Sequence, residues 1–96
     1  TSVGDGPFGI HISGRYAYVA NNGSNNISVV DISNPLAPVQ IATAAAGTGL
    51  FSIYVSGRYA YTANESSNNI SVIDISNPAV PVQVATVNVD YGPRGI

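Results

Sequence analysis

The single histidine and the few acidic residues are the side chains of this 96-residue chain that could carry acid–base chemistry. His11 is the only general base of the usual kind, and Tyr54 takes its place in a second, similar stretch of the chain. The sequence has no serine–histidine–aspartate arrangement, no dense pair of carboxylates, and no histidine or cysteine spacing that suits a metal ion. We therefore expect His11 to be structural, and we predict a protein that is not an enzyme and holds no cofactor or metal.

Asp31 and Asp74 are the acids with the most regular placement, since each stands just before the tetrapeptide Ile-Ser-Asn-Pro. Aspartate in that position is typical of an Asx turn, in which the carboxylate accepts a hydrogen bond from a following backbone N–H. Calcium binding is the alternative, although the chain lacks the dense aspartate run that calcium loops use. Catalysis would need these acids or His11 to come together, which their predicted strands make unfavourable.

Arg15 and Arg58 each belong to the sequence Ser-Gly-Arg-Tyr. We expect each guanidinium to pair with an acid of a neighbouring structural unit or to pack over a tyrosine ring. A role in binding a ligand is the alternative for both arginines.

Four asparagines begin an Asn-x-Ser sequence, which is the acceptor sequence for N-glycosylation in secreted proteins. They lie in two equivalent asparagine-rich loops, and hydrogen-bonded turns are the alternative explanation for such loops. A glycan coat would add solubility to a chain that has no lysine and only 8% charged residues. The predicted acceptors are Asn22, Asn26, Asn64 and Asn69.

The composition excludes several classes of protein. Three arginines, no lysine and a net charge of −2 leave no basic surface for nucleic acid. No apolar run approaches the ~20 residues that a membrane-spanning helix needs. An apolar content of 45% argues against a disordered chain. The chain lacks an initial methionine and a leader-like start, so we expect a processed product, an excised fragment or an engineered chain.

A 43-residue internal repeat dominates the sequence and predicts the architecture. Residues 13–43 and 56–86 are identical at 24 of 31 positions. Each repeat contains four short stretches of alternating or β-branched residues, separated by turn sequences and without helical periodicity. We therefore predict an all-β chain with a first unit at 1–43, a second at 44–86 and the start of a third at 87–96.

Two segments of each repeat resemble known propeller families. Tyr16–Asn21 is similar to the YVTN-type blade motif, and Ile27–Pro35 resembles the LVIVD repeat; Tyr59–Asn64 and Ile70–Pro78 repeat both. The resemblance implies β-propeller blades, each a four-stranded antiparallel sheet, with the Gly-Pro-x-Gly-Ile strand innermost and the Pro-Val-Gln strand outermost. The asparagine-rich loops and residues 44–49 would share one face of the ring, and the Ser-Gly-Arg and Ser-Asn-Pro turns the other.

Two blades cannot close a ring, so the chain is expected to associate with itself or with further blades. A homo-oligomeric ring, a slice of a longer tandem array and a fibre linked by exchanged strands are the three alternatives. The strand available for exchange would be the one that duplicates the first inner strand, namely Gly92, Pro93, Arg94, Gly95 and Ile96.

We interpret the chain as a non-enzymatic structural and interaction module of an extracellular or cell-surface propeller. Its predicted partners are copies of itself or neighbouring blades, with glycans as a further candidate; nucleic acid and a membrane span are not expected. One alternative is a ligand- or carbohydrate-binding propeller that uses the asparagine-rich face or the axial mouth near Phe8, Phe51 and Arg94. The other alternative is an engineered propeller fragment.

Overall fold

The protein is built from eight β-strands in a computed structural model that describes residues 3, 4 and 6–89. No residue in this described part is helical. The strands are β1 (Pro7–Ser13), β2 (Tyr16–Asn21), β3 (Asn26–Asp31), β4 (Val39–Ala45), β5 (Leu50–Ser56), β6 (Tyr59–Asn64), β7 (Asn69–Asp74) and β8 (Val82–Asn88).

The strands form two four-stranded antiparallel sheets with the orders β1-β2-β3-β4 and β5-β6-β7-β8. We call the first sheet blade 1 and the second blade 2. A two-residue turn joins the first two strands of each blade, and its first residue, Gly14 or Gly57, has a φ of 61° or 59°. Glycine takes this left-handed conformation without steric cost, which suits it to a tight hairpin. The all-β fold and the predicted strand order, from first strand to fourth, are confirmed.

The outer strand of each blade extends past the predicted end of its unit. β4 ends at Ala45 and β8 at Asn88, because Ala45 pairs with Asn26 and Asn88 pairs with Asn69. The predicted boundaries after residues 43 and 86 therefore fall inside strands. Residues 87 and 88 belong to blade 2 and not to the start of a third repeat. The predicted exchange strand at 92–96 lies outside the described residues.

Hydrogen bonds join the loops that the sequence placed at the same end of each blade. The Ala46 backbone N–H donates to the Asn25 carbonyl, and the Glu65 backbone N–H donates to the Gly49 carbonyl. At the other end, the Arg15 guanidinium lies 3.3 Å from the Ser33 hydroxyl. Asn25 has a φ of 57°, a left-handed conformation that asparagine tolerates better than most residues.

Each blade has two apolar faces, which we name by the residues of its second strand. The front face carries Tyr18 and Ala20 in blade 1, and the back face carries Ala17 and Val19, because neighbouring residues of a strand point to opposite sides. The front face of blade 1 packs on the back face of blade 2. The interface forms one core cluster, whose buried members are Tyr18, Ala20, Ile27, Val29, Ala44, Leu50, Ile53, Val55, Ala60, Ile73 and Ile75.

The back face of blade 1 has no blade packed on it among the described residues. Ile10 and Ile12 of β1 are 63% and 54% exposed, whereas their counterparts Ile53 and Val55 in β5 are 7% and 6% exposed. The buried apolar residues of this face form a small cluster of Ala17, Val19 and Val30, with Val3 and Ile32 beside it. Equivalent positions of the repeat therefore differ in burial because their neighbours differ.

Candidate functional site

The arginine and aspartate that the sequence singled out form the same ion pair in each blade. Arg15 Nη2 lies 2.9 Å from Asp31 Oδ2, and Arg58 lies equally close to Asp74. The pairing of Tyr16 with Asp31 across β2 and β3 places each arginine beside the acid of its own blade. The prediction of an acid from a neighbouring unit is therefore wrong, because the register of the sheet already supplies a partner.

The same aspartates complete the predicted Asx turns. The Ser33 backbone N–H donates to Asp31 Oδ1 over 2.9 Å, and Ser76 does the same to Asp74. The Arg15 guanidinium also lies over the Tyr16 ring, with its carbon 5.6 Å from the ring centroid, as the sequence predicted. Both features give these residues a structural role at the turn end of the blade.

These contacts govern the charge of the two acids. The pKa of Asp31 is lowered to about 2, first because the Ser33 backbone N–H donates to the carboxylate, and then through the Ser33 hydroxyl and the Arg15 guanidinium. Ser76 and Arg58 lower the pKa of Asp74 to about 2 in the same way. Both carboxylates therefore stay ionised at neutral pH, which makes them poor proton donors. Within residues 3, 4 and 6–89, no three histidine or acidic side chains group together.

Aromatic side chains at equivalent positions of the two inner strands contact each other. The Phe8 and Phe51 rings are 4.6 Å apart, and the His11 and Tyr54 rings are 5.0 Å apart, both edge to face. We call these four residues the inner-strand ladder. His11 thus packs against the next blade, while Phe8 is 59% and Tyr54 49% exposed. The ladder presents an aromatic surface along the inner edge; Arg94, predicted to lie near it, is outside the described residues.

Two buried asparagines form hydrogen-bonded clusters that the sequence analysis missed. Asn21, at the end of β2, is fully buried, and its Nδ2 donates to Asn26 Oδ1 over 2.9 Å and to Ser28 Oγ over 2.8 Å. Asn64 makes the matching contacts with Asn69 and Ser71, each 2.9 Å long. Each cluster ties the end of the second strand to the third. The repeat does place an asparagine at the end of the second strand in both blades, which could have indicated a structural role. Because an asparagine-rich loop follows directly, this asparagine could not be told apart from the loop residues.

A glycine covers each buried asparagine. A Cβ atom on Gly47 would lie 2.5 Å from Asn64 Nδ2, and one on Gly4 would lie 2.8 Å from Asn21 Nδ2. A larger residue could not approach these amides so closely. Gly4 and Gly47 are therefore required by packing against the asparagine clusters.

The asparagine clusters bear directly on the predicted glycosylation sites. A glycan would be attached to the side-chain nitrogen, and in Asn64 that nitrogen is buried and donates two hydrogen bonds. A glycan on this nitrogen would break both hydrogen bonds of the folded blade, and Asn64 stays a prediction. Asn22 uses its nitrogen to donate to the Leu50 carbonyl, and it stays a prediction together with Asn26 and Asn69.

The asparagine-rich loop of blade 1 is also joined to the backbone at the start of blade 2, at Gly49 and Leu50. Asn22 Nδ2 donates to the Leu50 carbonyl over 3.1 Å, and the Gly49 N–H donates to Asn25 Oδ1 over 3.2 Å. These bonds use side chains of one blade to hold the backbone of the next. The loop thus has a defined structural task besides any role in binding.

Comparisons with known structures show which fold contains these blades. A functionally unknown protein from Desulfotomaculum acetoxidans DSM 771 aligns over 95% of this chain with a TM-score of 0.85 and 20% identity. The Kuenenia stuttgartiensis hydrazine synthase aligns over 97% with a TM-score of 0.80 and 23% identity. This chain covers 31% and 27% of those two chains, so it spans about a third or less of either structure. The likeness supports the β-propeller fold.

Sequence comparison adds the family. No curated protein matches the chain. The described residues contain no helix that is long and apolar enough to cross a bilayer. The family model for the LVIVD repeat matches residues 8–43 and 51–89, one repeat in each blade and most of the chain. The chain therefore belongs to the LVIVD repeat family, as its sequence suggested.

Proposed function

We propose that this chain is a non-enzymatic structural and interaction module of an extracellular or cell-surface propeller protein, and that it associates with copies of itself through its blades. The observation that carries the proposal is the open back face of blade 1. Ile10 and Ile12 are more than half exposed there, although the same positions of blade 2 are buried. Because this apolar surface is covered by a blade in blade 2, its exposure in blade 1 favours a partner that covers it there.

The polar residues support a role without catalysis. Asp31 and Asp74 are held in turns and ion pairs, and the pKa of each is lowered to about 2. The amide nitrogens of Asn21 and Asn64 are used in hydrogen bonds between strands. These side chains stabilise the blades, and a stable scaffold with few charges suits a structural module.

The cell-surface assignment rests on the surface chemistry of the chain. It has no lysine and 8% charged residues, and three of its predicted acceptors, Asn22, Asn26 and Asn69, lie at the asparagine-rich end. Secretion from a glycosylating host, followed by intact-mass measurement, tests this part. Added glycan mass that disappears in the Asn22→Gln, Asn26→Gln and Asn69→Gln variants is the expected result, and an unmodified mass contradicts it.

Self-association is tested by sedimentation velocity over about two decades of protein concentration, since association depends on mass action. We expect species at multiples of 9.8 kDa that grow with concentration. A folded monomer at every concentration contradicts the proposal. Circular dichroism of the same samples shows whether the sheets are formed.

A binding role at the inner-strand ladder is the second candidate. Exposed aromatic rings at Phe8 and Tyr54 offer flat apolar surfaces of the kind that sugars and other ring-shaped ligands stack on. Calorimetric titration with a panel of oligosaccharides, using Phe8→Ala as the matched control, tests this role. Heat that is lost in the variant supports binding, and no heat from any sugar removes the candidate.

A further inference from the structure

We propose that the copies join with a fixed polarity, in which the front face of blade 2 in one copy docks on the back face of blade 1 in the next. The inference rests on the self-association proposed above and adds which two surfaces meet. The partner is a second copy of this chain. The two surfaces are different parts of the chain, so the contact is heterologous and can be repeated from copy to copy.

The interface inside the chain is the template for this contact. Ile53 and Val55 on the back face of blade 2 share one core cluster with Tyr18, Ile27 and Val29 on the front face of blade 1. The 43-residue repeat gives blade 1 the back-face counterparts Ile10 and Ile12, and gives blade 2 the front-face counterparts Tyr61, Ile70 and Val72. The chain therefore carries both halves of an interface that it has already formed once.

Burial on the front face of blade 2 differs in the direction that the inference requires. Tyr18, Ile27 and Val29 are 3%, 0% and 0% exposed inside the chain. Their counterparts Tyr61, Ile70 and Val72 are only partly buried. Further apolar area is available on this face for a partner to cover.

A cavity lies on the back face of blade 1, on the surface that the second copy would cover. It has a volume of about 310 Å³ and is lined by Val3, Pro7, Phe8, Gly9, Ile10 and Val19. In blade 2, the counterparts of Val3, Pro7 and Ile10 are Ala46, Leu50 and Ile53. All three counterparts lie in or against the core between the blades. The cavity thus corresponds to space that a front face fills in blade 2.

The charges of the two surfaces allow the contact. The centre of the back face of blade 1 carries no charge, since it is formed by Ile10, Ile12, Val19 and Val30. Asp74 lies at the edge of the opposing front face, where Arg58 pairs with it. Its counterpart Asp31 holds the same edge position, with the same kind of pair, beside the interface already formed.

Two blocking variants test the polarity. Ile10→Lys places an ammonium on the back face of blade 1, and Val72→Lys places one on the front face of blade 2. Each variant alone should associate at least about a hundredfold more weakly than the unchanged chain, because an unpaired charge would be buried. Leu36→Lys, at a loop position that is 95% exposed, is the matched control and should associate normally.

Mixing the two variants separates this inference from self-association in general. Each retains one working surface, so an equimolar mixture should form dimers and nothing larger. A mixture that stays monomeric while the unchanged chain associates overturns the polarity and leaves the proposed self-association standing. An unchanged chain that is a folded monomer throughout contradicts both, and covalently linked neighbouring blades are then the occupants of the open faces.

Cross-linking provides a readout that does not depend on tolerance of a buried lysine. The chain has no cysteine, so Ile10→Cys and Val72→Cys variants each carry a single thiol. A short bis-maleimide should link the first variant to the second, and should link neither variant efficiently to itself. Equal linking in all three combinations overturns the inference.

Discussion

Blade 1 and blade 2 have closely similar sequences but differ at one buried hydrogen bond. Thr62 Oγ1 donates to Asn64 Oδ1 over 2.9 Å in blade 2. Blade 1 has Val19 in place of Thr62, and the buried Asn21 Oδ1 accepts no hydrogen bond from any residue that the structure describes. Blade 2, in which the Asn64 carbonyl oxygen accepts a hydrogen bond, is the blade whose back face is covered by another blade. The comparison teaches that near-identical repeats can differ in the polar requirements of one face.

The inner strands differ for a second reason, which is the presence of a neighbour. Ile10 and Ile53 are the same residue at the same position of the repeat, yet one is 63% and the other 7% exposed. Their contributions to the free energy of unfolding should therefore differ, although the residue type and its place in the repeat are the same.

The largest expected effect comes from removing these side chains. Ile53→Ala should lower the free energy of unfolding by about 3 kcal/mol, because it opens a cavity between the blades, whereas Ile10→Ala should cost under about 1 kcal/mol in the monomer. Urea unfolding of the two variants at low concentration measures both values. Equal losses would mean that the blades do not pack as described.

Truncating the buried asparagines should have the next largest effect. Asn64→Ala removes two donated bonds and one accepted bond, and we expect a loss of about 3 kcal/mol. Asn21→Ala should cost about 1 kcal/mol less, since it also removes an unpaired oxygen. Thermal unfolding followed by circular dichroism compares the variants, and Gln40→Ala on the exposed outer strand is the control. A larger loss at Asn21 would contradict the comparison.

Exchanging Val19 and Thr62 tests whether the missing hydrogen bond accounts for the difference in stability between the two asparagine clusters. Val19→Thr supplies the donor that Asn21 lacks and should stabilise the chain by about 1 kcal/mol, while Thr62→Val should destabilise it by a similar amount. The double variant should restore nearly the original stability. Chemical denaturation measures the three values, and a loss of stability in Val19→Thr would show that Asn21 needs no donor.

Acid should lower the stability of both blades equally. The difference between the blades in their response to pH is therefore the smallest that we expect. The pKa of Asp31 and of Asp74 is lowered from 3.8 to about 2. The stability that these carboxylates contribute is present above the ordinary pKa and is lost as the pH falls through about 2. Asp31→Asn and Asp74→Asn should each reduce this acid sensitivity by the same amount. Unfolding midpoints measured between neutral and strongly acidic pH test the prediction, and unequal slopes would contradict it.

The repeat and its alternating residues predicted the strands and the four-stranded units, and the resemblance to the propeller families implied the order of the strands in each blade. Burial could not be predicted in the same way, because Ile10 and Ile53 are the same residue at the same position of the repeat and differ in their tertiary neighbours. The partner of Arg15 was missed because it follows from the pairing of Tyr16 with Asp31, which is a matter of register. Asn64 was interpreted as a surface acceptor because its strand end lies beside a polar loop, while the sheet buries it.

The hydrogen bonds that Asn22 and Asn25 form with the backbone of Leu50 and Gly49 have a geometric consequence. They join a side chain of one blade to the backbone of the next at 3.1 and 3.2 Å, so they resist changes in the angle between consecutive blades. In a circular arrangement, that angle alone determines how many units complete one revolution. The curvature of any assembly of these blades is therefore set partly by two asparagines in a surface loop.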